Sequence, residues 1–259
     1  MLIVTDLDRT LLRADKTISP YTIDVFRRLQ QQGKKIAIAT ARPKRSMEKY
    51  IHQINADAAI IHNGAVIYAG GKLHSSFGIP THGATEILQK IQREYPQMKI
   101  SVEIDDALYG NFQTPDLEPG LDWTSTLTDF TDLPQKPVDK MLFSAGDPDT
   151  PGDPTALDAI RTELSHEYNA LIADGWLLMV MNKLACKFLA AKETAAYFGL
   201  TTAETIAFGD DFNDMEMLKN CGIGVAVANA YDSVKAIADH VCESNENDGV
   251  ARWLEEKFL

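Results

Sequence analysis

Residues 1–12, MLIVTDLDRTLL, run apolar, then acidic, then apolar again. A short β-branched run bounded by polar residues reads as a buried strand. Its carboxyl end then projects Asp6 and Asp8. In open α/β sheets ligands bind at that end of the strands. Two carboxylates on one edge of a dry sheet repel each other, and a hard divalent cation is the simplest compensation. A second Asp-x-Asp, Asp147-Pro148-Asp149, lies in a run of Pro, Gly and Asp and reads as a solvated turn.

The segments that follow repeat the alternation of strand and helix. Ser19-Pro20 supplies an N-cap and a first-turn proline to a helix over 21–32, stopped by Gly33. A strand over 34–40, a helix over 45–54 and a strand over 58–61 come next. Short joins between them imply parallel strands with right-handed crossovers. From about residue 80 the rhythm changes. A helix over 81–95 and strands over 99–104, 140–144 and 177–181 are expected there, with a helix over 155–168. A polar stretch over 111–131 carries Pro115, Pro119 and Gly120. This irregular order predicts an antiparallel sheet with helices on one face. The opening rhythm then returns: a helix over 185–198, a strand over 205–208, a helix over 215–220, a strand over 223–227, a helix over 230–238, a strand over 240–242 and a terminal helix. The expected fold is α/β, a doubly wound parallel, Rossmann-like core formed by 1–80 and 183–259, with an α+β domain inserted over 81–182.

The chain has 259 residues, 45% of them hydrophobic, enough for two ordinary cores. Its formal charge of −12 argues against nucleic acid or an anionic membrane as the main partner. A bound cation can still invert the local field for a small anionic substrate. Cys186, Cys221 and Cys242 show no C-x-x-C spacing and read as reduced thiols. Asp6 and Asp8 fall too early for a signal peptide, and no apolar run is long enough to cross a bilayer. A cytoplasmic chain is therefore expected.

Four signals fall where one sheet edge would gather them: Asp6 with Asp8; Thr40, beside a helix N-terminus whose N–H groups favour anions; Lys187, early in the helix that follows the insertion; and Gly209-Asp210-Asp211-Phe212-Asn213-Asp214. Singly, Thr40 serves equally well as a helix cap, Lys187 as a solvated lysine, and the acids as loop and cap residues. Order, residue type and strand-end placement together favour a site.

With these residues in view, the chain resembles the haloacid dehalogenase-like hydrolase superfamily. DLDRTLL, IAIATARP, NKLACKFLAAKETAAYFGL and IAFGDDFNDMEML correspond to its four motifs, and GIGVAVANAYDSVKAIADHV with DGVARWLEEKFL resembles its Cof-type subfamily, as does the position of the insertion. Arg9 stands where the family usually has Gly, and Ala41 replaces the Gly of Thr/Ser-Gly-Arg.

The resemblance implies a magnesium-dependent phosphatase of a small phosphorylated metabolite, such as a sugar phosphate, acting through an aspartyl-phosphate. Asp6 would be the nucleophile and Asp8 the acid and base. Mg2+ would bind the Asp6 carboxylate, the Asp8 carbonyl and Asp210. Thr40, Lys187 and Asn213 would hold phosphate, Asp214 would support Lys187 or metal waters, and Asp211 would face solvent. Arg42, Asn63 and Arg9 are the candidates for touching the leaving group, with Trp176 and Tyr109 as weaker ones in the insertion, which would close over the site as a cap. Rival readings are a phosphotransferase or phosphomutase using the same intermediate, and a phospholigand-binding protein without catalysis.

Overall fold

The opening apolar run forms strand β1 (Leu2–Thr5), buried at every residue. A computed structural model of the chain describes residues 1–113, 124–146, 154–173 and 175–259. These residues group into two compact units, Met1–Ser75 with Cys186–Leu259, and Ser76–Ala185.

In the first unit, β1 is followed by α1 (Pro20–Gln31), β2 (Lys35–Ala39), α2 (Lys44–Ile54) and β3 (Ala58–Ile61). The hydroxyl of Ser19 caps α1 by accepting from the Thr22 N–H at 3.0 Å, and Pro20 fills a first-turn position that has no helical partner for an N–H. After β3 the chain departs from the expected alternation. His62, Asn63 and Gly64 take positive φ values of 49°, 56° and 101°. This tight turn is too short for a crossover, so β4 (Val66–Ala69) returns antiparallel to β3. Strand β5 (Lys72–Ser76) extends that edge.

The second unit follows as α3 (Thr81–Glu94), β6 (Lys99–Ile104), β7 (Ala107–Gly110), β8 (Thr126–Leu127), β9 (Lys140–Ser144), α4 (Pro154–Leu164), β10 (Tyr168–Ala173) and β11 (Leu177–Asn182). Its sheet runs β10-β11-β9-β6-β7-β8, antiparallel except at the short β7–β8 pair. Alternate residues Ile100, Val102, Met141, Phe143, Leu178 and Val180 pack with Leu88 and Ile91 of α3 and Leu157 and Ile160 of α4. The period of two along each strand turns this face towards the helices. The helix expected to reach residue 168 ends at Leu164 instead. Tyr168-Asn-Ala-Leu-Ile-Ala pairs residue for residue with β11, and that pairing overrides the helical propensity of its Ala and Leu residues. Tyr109 packs against this core. The Asp147-Pro148-Asp149 turn, and Pro115, Pro119 and Gly120, lie outside the described residues.

Back in the first unit come α5 (Lys187–Tyr197), β12 (Thr205–Gly209), α6 (Met215–Asn220), β13 (Ile223–Val227), α7 (Asp232–Lys235), β14 (His240–Cys242) and α8 (Gly249–Phe258). The sheet order is β14-β13-β12-β1-β2-β3-β4-β5. Because β1 lies parallel between β12 and β2, their carboxyl ends, and the loops that follow them, meet on one edge. The strand order reverses around β1, which is the switch point where such sheets bind ligands.

A buried acid in the second unit makes stability depend on pH. Asp139 is pushed up to about 6 by burial; the Asp105 N–H opposes the shift and the Glu103 carboxylate adds to it. An acid whose pKa is raised on folding holds its proton more tightly in the folded chain. Stability therefore falls as pH rises from the ordinary carboxylate range through about 6. Asp139→Asn keeps an oxygen for the Asp105 N–H. It is expected to stabilise the chain by about 1–3 kcal/mol above pH 7, with the gain vanishing towards pH 4. Thermal melts across that range check this, and a lower melting temperature for the variant above pH 7 would contradict it.

Candidate active site

Asp6 directly follows β1, and its N–H donates to the Phe208 carbonyl of β12 at 2.9 Å. Lys187 is the first residue of α5. A cation is disfavoured at a helix N-terminus, and here two carboxylates offset that cost. The Lys187 Nζ donates to Asp6 Oδ1 and to Asp214 Oδ1, each at 2.6 Å. The Lys187 side chain is 1% exposed. The other oxygen of Asp214, Oδ2, accepts from the backbone N–H groups of Asp210 and Asp211 at 3.0 and 3.1 Å. Asp214 thus folds its own loop and holds Lys187 at once. Gly209 is required at this place, because a Cβ there would lie 2.5 Å from the Cβ of Asp214. Asp210 accepts from the Thr10 hydroxyl through Oδ1 at 2.7 Å.

Asp6, Asp210 and Asp214 are all buried, and each offers a carboxylate oxygen within 4.8 Å of the others. Burial raises Asp6 well above the usual carboxylate range; Lys187 opposes this, and the Asp214 and Asp210 charges reinforce it. Burial likewise lifts Asp210 to about 6 against the Thr10 hydrogen bond, with Asp214 adding to the rise. Burial would lower Lys187, but Asp214 and Asp6 outweigh it and keep the ammonium. One ammonium therefore faces three carboxylates, a surplus of negative charge that suits a divalent cation. The donor set fits such an ion. Asp6 is engaged by Lys187 through Oδ1, and Asp210 is held by Thr10 through Oδ1, with Arg9 Nε 3.6 Å from its Oδ2. Both oxygens of Asp214 are already engaged, so Asp6 and Asp210 are the better ligands.

Asp8 is held differently. Arg42 donates to it from Nε at 2.7 Å and from a terminal nitrogen at 2.6 Å, and the Lys16 Nζ donates at 2.9 Å. Burial would raise Asp8, but Arg42 and then Lys16 outweigh it and hold the carboxyl below its usual value. Such a forked pair is the strong form of a charged hydrogen bond. Thr40 is buried, and its hydroxyl accepts from the Arg42 N–H at 3.2 Å. The Asn63 N–H donates to the Thr40 carbonyl at 2.9 Å, and Asn213 Nδ2 donates to Asn63 Oδ1 at 2.9 Å. Asp211 caps the turn over Phe212–Asp214, accepting from the Phe212 N–H at 2.6 Å. Arg9, at φ 58°, directs its Nε to 3.6 Å from Asp210 Oδ2.

The structure thus joins Asp6, Lys187, Asp210 and Asp214 directly, and links Asn213, Asn63, Thr40 and Arg42 in a second chain of contacts. Thr10 and Lys16 were not singled out from sequence. Thr10 stood inside the decisive stretch and had a signal, a hydroxyl two residues past Asp8. Lys16 sits in an irregular loop with φ 61° and had none.

A parallel sheet whose switch-point edge carries an Asp-x-Asp, a buried ammonium and an acidic loop, interrupted by an α+β unit, marks a class of α/β hydrolases. The chain belongs to the haloacid dehalogenase-like hydrolase family, whose model matches residues 3–254. It is 31% identical to the 5-amino-6-(5-phospho-D-ribitylamino)uracil phosphatase YitU of Bacillus subtilis, over 99% of this chain and 97% of that protein. It is 25% identical to the pyridoxal phosphate phosphatase YbhA of Escherichia coli, over 98% and 97% of the two chains. A solved haloacid dehalogenase-like hydrolase from Bacteroides thetaiotaomicron superposes with a TM-score of 0.85 at 25% identity, covering 99% of each chain. Among the described residues, no helix is long and apolar enough to cross a membrane.

Proposed function

We propose that the chain is a magnesium-dependent phosphomonoester hydrolase acting on a small phosphorylated metabolite through a phosphoryl group carried on Asp6. The observation that carries this reading is the pairing of buried Asp6 with the Lys187 ammonium at 2.6 Å beside Asp210 and Asp214. The named phosphatases among its relatives support it. Residues 1–80 and 183–259 would be the catalytic core and 81–182 a cap that discriminates among substrates.

Asp6 is the nucleophile: a carboxylate oxygen forms a bond to phosphorus as the ester oxygen departs. Asp6, Asp210 and the Asp8 carbonyl would hold magnesium, which neutralises charge between nucleophile and phosphate. Lys187 holds the Asp6 carboxylate in place and offers its ammonium to the phosphoryl oxygens, which Thr40 and Asn213 would also bind. Asp8 protonates the leaving alkoxide and later takes a proton from the water that cleaves the acyl phosphate. In the structure Asp8 is an ionised partner of Arg42 and Lys16, so it serves as an acid only after releasing them. Arg42, once released, is free to bind an anionic group of the substrate.

The test is phosphate release from a panel of sugar phosphates, nucleotides and cofactor phosphates, with magnesium and with chelator. Steady release that chelator abolishes is the expected result. Release that chelator leaves unchanged would refute the metal site, and transfer to a sugar without release would favour the phosphotransferase reading.

A further inference from the structure

Beside the acidic cluster the first unit exposes an aromatic stack. Phe212 and Tyr231 remain 59% and 44% exposed, although they are large and apolar. Their rings lie nearly parallel, with centroids 5.0 Å apart and 23° between planes. The Arg9 guanidinium sits 5.5 Å from the Tyr231 ring centroid. The three residues come from the loops after β12, β13 and β1, which adjoin at the carboxyl edge of the sheet.

The stack is fixed in place by the candidate site itself. The Tyr231 N–H donates to the Asp210 carbonyl at 3.2 Å. Phe212 lies between Asp211 and Asn213 in the capped turn that also presents Asp214. Arg9 reaches Asp210, and Asn229 Nδ2 donates to the Arg9 carbonyl at 2.7 Å. The Asn229 side chain also accepts, through Oδ1, from the Asn245 N–H at 3.0 Å. The backbone that carries the two rings is thus anchored to the candidate site, which lowers the ordering cost of a flat partner's contact. Two exposed rings stacked together beside a polar site offer a flat apolar face on which a ligand ring can rest.

We propose that Phe212 and Tyr231, steadied by Arg9, form a stacking platform for a planar ring in the substrate's leaving group. The proposal rests on Asp6 carrying the reaction at the adjoining site. It assigns this chain to phosphomonoesters of flat, unsaturated ring alcohols in preference to saturated ones. The stacking is offset or parallel contact between π-faces, which a puckered ring of the same size does not offer.

Benzyl phosphate and cyclohexylmethyl phosphate separate planarity from other effects. Both release a primary alcohol, and the saturated ring is at least as apolar, so simple hydrophobic burial does not favour the benzyl ester. Two readouts are needed: kcat/KM in the wild type, and calorimetric affinity for each ester in Asp6→Asn with magnesium present. The expected preference for the benzyl ester is about three- to tenfold in both. In Phe212→Leu/Tyr231→Leu the ratio between the two esters should fall to about one, through a larger loss on the benzyl ester than on the cyclohexylmethyl ester. Equal affinity for the two esters in Asp6→Asn, or equal losses on both in the double variant, overturns the platform. A binding preference with no turnover of either ester upholds the platform and counts against the phosphatase reading, whereas turnover without preference does the reverse.

Discussion

Asp6→Asn is expected to lower phosphate release by about a thousandfold or more, while the chain stays folded and melts at the same temperature or higher. The loss follows from the chemistry: an amide oxygen is a poor nucleophile and forms no stable acyl phosphate. The thermal gain follows from burial. Asp6 is raised well above the usual carboxylate range, chiefly by burial, with Asp214 and Asp210 adding to it. A carboxyl raised on folding costs stability once it is ionised, so its contribution at neutral pH is unfavourable. The neutral amide removes that cost, and Lys187 keeps its bond to Asp214. Steady-state phosphate release and a thermal melt at pH 7.5 measure the two effects together. Retained turnover would remove Asp6 from the reaction, and a marked fall in melting temperature would show that the ionised Asp6–Lys187 pair is a net support of the fold.

Lys187→Met should produce the opposite balance. It removes the ammonium that donates to both Asp6 and Asp214, from a side chain with 1% exposure. Three buried carboxylates are then left facing each other. Breaking a buried pair by deleting one partner costs about 3–5 kcal/mol, because the other charge stays uncompensated. At about 2–4 °C per kcal/mol for a chain of this size, the melting temperature should fall by roughly 6–20 °C. Magnesium should recover part of the loss in the variant, since a cation bound only by the folded state stabilises it by mass action. Phosphate release should be lost even where the variant is fully folded. A melting temperature unchanged from wild type, or one indifferent to magnesium, would contradict this account of the cluster.

These two substitutions touch residues 181 positions apart in the chain, yet sequence alone pointed to both. Asp6 was legible because its Asp-x-Asp ends a strand-like run and is joined downstream by Thr40, Lys187 and the acidic loop in matching order. Lys187 was legible only jointly with the other three signals and through the family resemblance, since singly it reads as a solvated lysine. The acidic loop was legible from Gly209 and the acids that follow it. The side-chain partners were much less so. The resemblance implies that Asp8 is the acid and base, but its pairing with Arg42 and Lys16 is visible only in the fold. Arg9 is one candidate substrate contact from sequence, and the fold rests it against Asp210 and Tyr231.

The sequence by itself determined the α/β class, the return to a parallel sheet after the insertion, and the residue types of the site. Those features are written in hydrophobic period and in short motifs, both local properties of the chain. Only the tertiary structure decided the antiparallel turn at His62–Gly64, the pairing of β10 with β11, the Thr10 bond to Asp210 and the Phe212–Tyr231 stack. The Thr10 bond and the stack depend on what a distant loop places opposite a residue, and the two hairpins on pairing between neighbouring strands. Local propensity is worth tenths of a kcal/mol per residue, too little to resist a complete set of strand hydrogen bonds or a buried charge that needs its partner.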